Sequence, residues 1–162
     1  GRFLTLIGGS TAAVEESLRE AQLRAGESVL DHLLLADVHP RVYEAILGGR
    51  RASGIGALAI IETDTVASSV RAAELALKGT SVELVELRLA DSGLSGKGVS
   101  IYQGELPDIE AAVDVILDYM RQAGGGVRHT IISSPHEALV REMGSGTSFA
   151  SAALLDLDGE VV

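Results

Sequence analysis

Three residue types able to form a nucleophilic triad occur in the order Asp91, His129, Ser148. A serine nucleophile needs a histidine base within hydrogen-bond reach and a carboxylate to orient that base. The order fits, but the setting does not: His129 opens the run HTIISS, which alternates like a strand, and Ser148 lies in GTSFASA, a small-residue segment of a kind that recurs by chance. Other chemistry is sparser. Neither Gly-x-x-x-x-Gly-Lys nor Gly-x-Gly-x-x-Gly occurs, so no phosphate loop is predicted. Glu15, Glu16, Glu110 and Asp114 fall on the outer faces of helical repeats, where solvation accounts for them. His136 has no second histidine or carboxylate at ligand spacing and reads as a capping or packing residue, so no metal is expected. The chain has no cysteine, which excludes disulfides, thiolate zinc sites and cysteine-held iron–sulfur clusters; no cofactor is expected. What remains is binding. The turn Ser92-Gly93-Leu94-Ser95 combines small side chains with backbone N–H groups that can receive an anion or a carbonyl oxygen. A plain hairpin turn needing glycine at positive φ would look the same.

The elements that would position these residues repeat. GRFLTLIGGSTAAVEESLREAQLRAG, from Gly1, returns as GKGVSIYQGELPDIEAAVDVILDYMRQAG from Gly96, and VLDHLLLADVHPRVYEAILG is matched by VRHTIISSPHEALVREMG. Self-similarity at this spacing predicts tandem domains. Residues 3–7 read as a strand. A helix follows, capped by Ser10, with Val14, Leu18, Ala21 and Ala25 inward and Gly26 as its stop. Residues 28–36 read as a second strand, and His39-Pro40 opens a short helix to Gly48. Residues 49–56, glycine-rich and basic, read as a linker.

The second unit runs over 57–144. ALAIIET is a buried strand, Thr65 caps a helix facing inward with Val66, Val70, Ala73 and Leu77, and VELVELRLA and VSIYQG form a hairpin. Ile109, Val113, Ile116 and Met120 line the next helix, Gly124–Gly126 end it, and a strand and a helix from about Pro135 follow. This order predicts an α+β domain of split βαβ, ferredoxin-like plan: a four-stranded antiparallel sheet with helices on one face. The unit 1–48 shows only the second half of that plan, so about 39 residues of a first domain are missing on this repeat arithmetic. The tail, 145–162, contains AALLDLDGEVV, which can be laid on LAIIETDTVA from Leu58. It reads either as an opening strand that would complete the partial domain, as in a circular permutation, or as an unstructured end.

Composition bounds the partners. At 162 residues with 46% hydrophobic and 3% aromatic residues, the chain can bury a core of Ala, Val, Leu and Ile. A net charge of −10 opposes binding to nucleic acid or an anionic membrane. No stretch reaches the length of a membrane span and no signal peptide pattern opens the chain, so a cytosolic address is expected.

At ALAIIET, AAELALKGTSVELVELRLADSGLSGK and SPHEAL, and at DVHPRVYEAILG between the units, the sequence resembles the bacterial microcompartment shell family, above all its tandem-domain, trimer-forming members of the propanediol-utilisation type. The likeness covers nearly all of residues 1–144. It implies two fused BMC domains, three chains closing a pseudohexameric tile, other shell proteins as neighbours, small metabolites passing a central opening, and a place in the microcompartment shell within the cytoplasm. It implies no enzymatic activity. By resemblance, Ser92, Gly93, Leu94 and Ser95 form the pore loop, and Lys78, Pro135 and His136 lie at the edge between tiles. An arginine usual in the family's edge motif is absent, since Ser133-Ser134 precede Pro135-His136. The cysteine by which some relatives hold a cluster is absent too. Two other classes compete: a small ferredoxin-like metabolite-binding or regulatory module, and, remotely, a subtilisin-like serine hydrolase, to which GTSFASA is similar.

Overall fold

In the computed structural model of the chain, residues 3–51, 56–89 and 93–143 are described, without the side chains of residues 141 and 142. The second unit folds as β1 (Ala57–Thr63), α3 (Val66–Gly79), β2 (Glu83–Leu89), β3 (Gly98–Gly104), α4 (Leu106–Ala123), β4 (Val127–Ile132) and α5 (Glu137–Met143), preceded by α1 (Thr11–Ala25) and α2 (Pro40–Ile46). The four strands form one sheet in the order β2-β3-β1-β4, with every neighbouring pair antiparallel. This is the α+β plan expected from the order of elements.

Alternation along the strands separates two faces. Ala57, Ala59, Ile61, Leu84, Leu87 and Tyr102 point into a core with α3 and α4. Helix α4 is laid down by the periodicity read in sequence: Ile109, Val113, Ile116 and Met120 are all buried, each worth about 1.5–3 kcal/mol of removed apolar surface. Gly124, at φ 69, closes the helix with its N–H on the Met120 carbonyl. Helix α3 starts at Thr65, whose hydroxyl accepts from Ser68 N–H, and presses so close to β3 that a Cβ on Gly98 would lie 2.4 Å from that of Ser69. The opposite face carries Leu58, Val85, Ile101 and Met143, with Ile60, Val99, Ile132 and Leu139 packed against them; α5 therefore covers one end of the sheet from behind.

The first unit departs from expectation. Helix α1 forms as predicted, with the Ser10 hydroxyl accepting from Ala13 N–H and the Gly26 N–H reaching Gln22, but it buries no residue. Residues 3–7 and 28–36 are not strands; Phe3, Leu6 and Leu30 stand exposed, and a short 3₁₀ turn occupies Gly26–Ser28. The reason lies in the sheet order. In the second unit the counterparts of these two segments, β3 and β4, both bond to β1, and residues 1–51 contain no counterpart of β1. A strand's N–H and C=O groups need a neighbour, and among the described residues no strand pairs with these two segments.

Candidate functional site

Two regions carry most of the residues singled out above: the β2–β3 turn, and the seam where residues 31–51 meet the second unit.

Ser92 lies outside the described residues, as do Ser148 and Asp91. Gly93 and Ser95 are exposed and Leu94 half-buried. The turn uses positive φ three times, at Gly93 (90°), Ser95 (54°) and Gly96 (83°), and closes with Lys97 N–H on the Leu94 carbonyl at 3.0 Å. Glycine tolerates this conformation freely, whereas Ser95 is held in it at a small steric cost. Behind the turn, Gly96, Thr65, Val66, Phe3, Leu30 and Asp31 border a hollow of about 90 Å³. Asp31 bonds the Thr65 hydroxyl and, at 3.2 Å, that of Ser68. A carboxylate from the first unit thus sits against the N-terminus of α3, where the helix dipole favours it.

The seam is more heavily built. Arg41, 7% exposed, inserts from α2 against β2 at the point where the β2–β3 register slips between Leu84 and Glu86. Its guanidinium donates to the carbonyls of Leu84 (2.7 Å), Val85 (2.7 Å) and Gly49 (3.0 Å) and meets Glu44 at 3.3 Å. Burial lowers its pKa, and Glu44 opposes the shift. The planar fork suits several carbonyls at once, which an ammonium could not span. Arg51 adds its backbone N–H to Val85 (3.0 Å) and its side chain to Glu44 (2.8 Å). Arg50 bonds the buried Glu86 and, at 3.1 Å, the Met143 carbonyl. The opening of the sequence-predicted linker is therefore fastened to the second unit.

Lys78 belongs to this seam as well. Its ammonium meets Glu74 at 2.6 Å and the Asp37 carbonyl, and Glu74, 3% exposed, accepts the His39 N–H through both oxygens at 3.1 and 3.0 Å. The Glu74 hydrogen bond raises the Lys78 pKa. The side chain remains 45% exposed. His136 is exposed and Pro135 half-buried; Nδ1 of His136 accepts from Ala138 N–H at 3.1 Å, as Nδ1 of His39 does from Arg41 N–H at 3.1 Å. The two histidines are one capping device used in both repeats. His129 lies on exposed β4. Among the described residues, no three His, Cys, Asp or Glu side chains are grouped to hold a metal, and no helix is long and apolar enough to cross a membrane.

Sequence reasoning missed Arg41, Arg50 and Glu74. Their distant partners lie 35–93 positions away, and local spacing reveals only the neighbour pairs Arg41–Glu44 and Glu74–Lys78.

The BMC domain model matches residues 57–135, which is the sheet-and-helix unit just described. The microcompartment shell protein PduT of Citrobacter freundii is 33% identical over 146 residues, covering 90% of this chain and 79% of the relative. The chain belongs to the bacterial microcompartment shell protein family. A solved structure of a microcompartment protein from Desulfitobacterium hafniense superimposes with a TM-score of 0.72 at 37% identity, over 82% of this chain and 73% of that one. Family membership accounts for the split βαβ order. It also sets the weak Asp91, His129, Ser148 signal aside, because the named relatives are shell and microcompartment proteins.

Proposed function

We propose that this chain is a non-catalytic building block of a microcompartment shell, in which residues 1–48 belong to one BMC domain, 57–144 form a second, and three chains close a pseudohexameric disc. Ser92–Ser95 then line the central opening, with Gly93 and Ser95 presenting small groups to a passing metabolite. Pro135 and His136 lie towards neighbouring shell proteins. Lys78, held by Glu74 and Asp37, serves both the seam and, through its exposed portion, the tile border.

The observation that supports this reading is the seam. A ring of near-equivalent units requires successive domains at a fixed angle, and Arg41, Arg50 and Glu74 clamp the end of the first repeat to β2, α5 and α3 of the second. A small regulatory module has no need of such a clamp. Native mass spectrometry tests the proposal: a species three times the mass of the 16.8 kDa chain, seen as discs by negative-stain microscopy, is the expected result. A stable monomer at micromolar concentration overturns it.

A further inference from the structure

Among the described residues, the face of the sheet opposite α3 and α4 is covered at one end alone. Helix α5 shields Leu58, Val85 and Ile101 through Met143 and Leu139. Beyond it, Ile60 and Val99 remain half-exposed and Thr130 exposed. Around this uncovered part stand Arg88, Lys97 and Arg128, with Arg50 at the margin by α5. Two carboxylates answer these four cations. Glu62 takes Lys97 at 2.7 Å and, more loosely, Arg128 at 3.8 Å; Glu86 takes Arg50 and Arg88 through a single oxygen. The Arg128 side chain is 83% exposed. The second oxygen of Glu86, on a residue 2% exposed, has no partner among the described residues. A basic, partly apolar surface is thus present on a chain whose net charge is −10.

The described residues end at that margin, with Met143. The last described carbonyl, that of Met143, is held by Arg50, which also holds Glu86. The 19 residues beyond it contain Leu154, Leu155 and Leu157 interleaved with Asp156, Asp158 and Glu160, and no lysine or arginine. Nineteen extended residues reach about 60 Å, several times the roughly 15 Å across four strands. Length, point of departure and charge agree. We propose that residues 154–160 dock in cis on the uncovered part of the sheet face, the leucines over Ile60 and Val99 and the carboxylates towards Arg128, Arg88 and Lys97. So docked, the tail occupies the surface that any other acidic, apolar peptide would need.

The cysteine-free chain lends itself to spin labels at Ala153→Cys and Thr130→Cys in the full-length protein, diluted tenfold with unlabelled chain and measured by double electron–electron resonance. The expected result is one short, narrow distance distribution. Arg128→Ala should lower the docked-to-free ratio about threefold, equivalent to ~0.65 kcal/mol and within the range of an exposed ion pair. Arg128→Glu should lower it further, with recovery on adding Asp158→Arg. Any of three outcomes overturns the proposal: a broad distribution indifferent to Arg128, a short distance that disappears on dilution, or a short distance from residue 153 to a label at Leu30→Cys in place of the one at residue 130.

Discussion

Replacing Arg41 by methionine removes the fork while keeping most of the stem's volume. In the folded protein the guanidinium serves three carbonyls and one carboxylate. The Val85 carbonyl keeps a partner, the Arg51 N–H, but those of Leu84 and Gly49 lose this donor. A buried polar group left without its partner costs about 1–3 kcal/mol, so two such losses, eased by retained packing, should destabilise the chain by about 3 kcal/mol. At a urea slope of about 2 kcal/mol/M, the unfolding midpoint followed by far-ultraviolet circular dichroism should fall by about 1.5 M. Arg41→Lys keeps the charge but can reach fewer carbonyls, and should lose about half as much. Glu44→Gln isolates the ion pair, whose carboxylate side is 43% exposed, and should cost under about 1 kcal/mol. A loss under about 1 kcal/mol for Arg41→Met, or a lysine variant indistinguishable from the parent, would refute the reasoning.

Other perturbations have equally definite outcomes. Gly98→Ala places its Cβ 2.4 Å from that of Ser69 and should cost about 1–3 kcal/mol by overpacking, partly recovered by Ser69→Gly in a thermal melt. Ile116→Ala empties a fully buried site and should cost about 2–5 kcal/mol in urea unfolding. The Lys97 hydrogen bond holds the Glu62 carboxyl below the usual carboxylate range. Its contribution is therefore present above the unfolded-state pKa and lost as pH falls through the folded one; carbon-detected NMR titration should show the depressed value, and Lys97→Met should remove it. His136→Ala deletes the acceptor for Ala138 N–H and should cost about 0.5–2 kcal/mol, as loss of a helix cap does, with faster amide exchange confined to the first turn of α5.

Which parts of this structure were legible in the sequence follows from the range of the forces involved. Helix α4 and its buried face were fixed by a period of 3.6 and a terminal glycine, both local. The hairpin, with its glycines at 93 and 96, was likewise written over a few residues. The segments 3–7 and 28–36 have strand-like composition too, yet composition cannot supply the partner that a ladder requires. The seam was illegible for a different reason: Arg41, Arg50 and Glu74 satisfy groups far along the chain, and the basic stretch at residues 49–51, with the look of a tether, is pinned by those distant carbonyls and carboxylates. Of the turn residues, 93–95 are exposed or half-exposed as a loop should be, but any contact such a turn makes in an assembly is beyond what local spacing encodes.

The slip in register at Val85 has a consequence for solubility. By drawing the guanidinium of Arg41 and the amide of Arg51 onto the outer margin of β2, it denies that margin to any foreign strand, much as a hem prevents a cloth from being sewn onward. At the opposite margin, β4 has no such cover among the described residues. Among the described residues the sheet therefore keeps one open border, and a sheet with a single open border offers a growing fibre no second edge on which to continue.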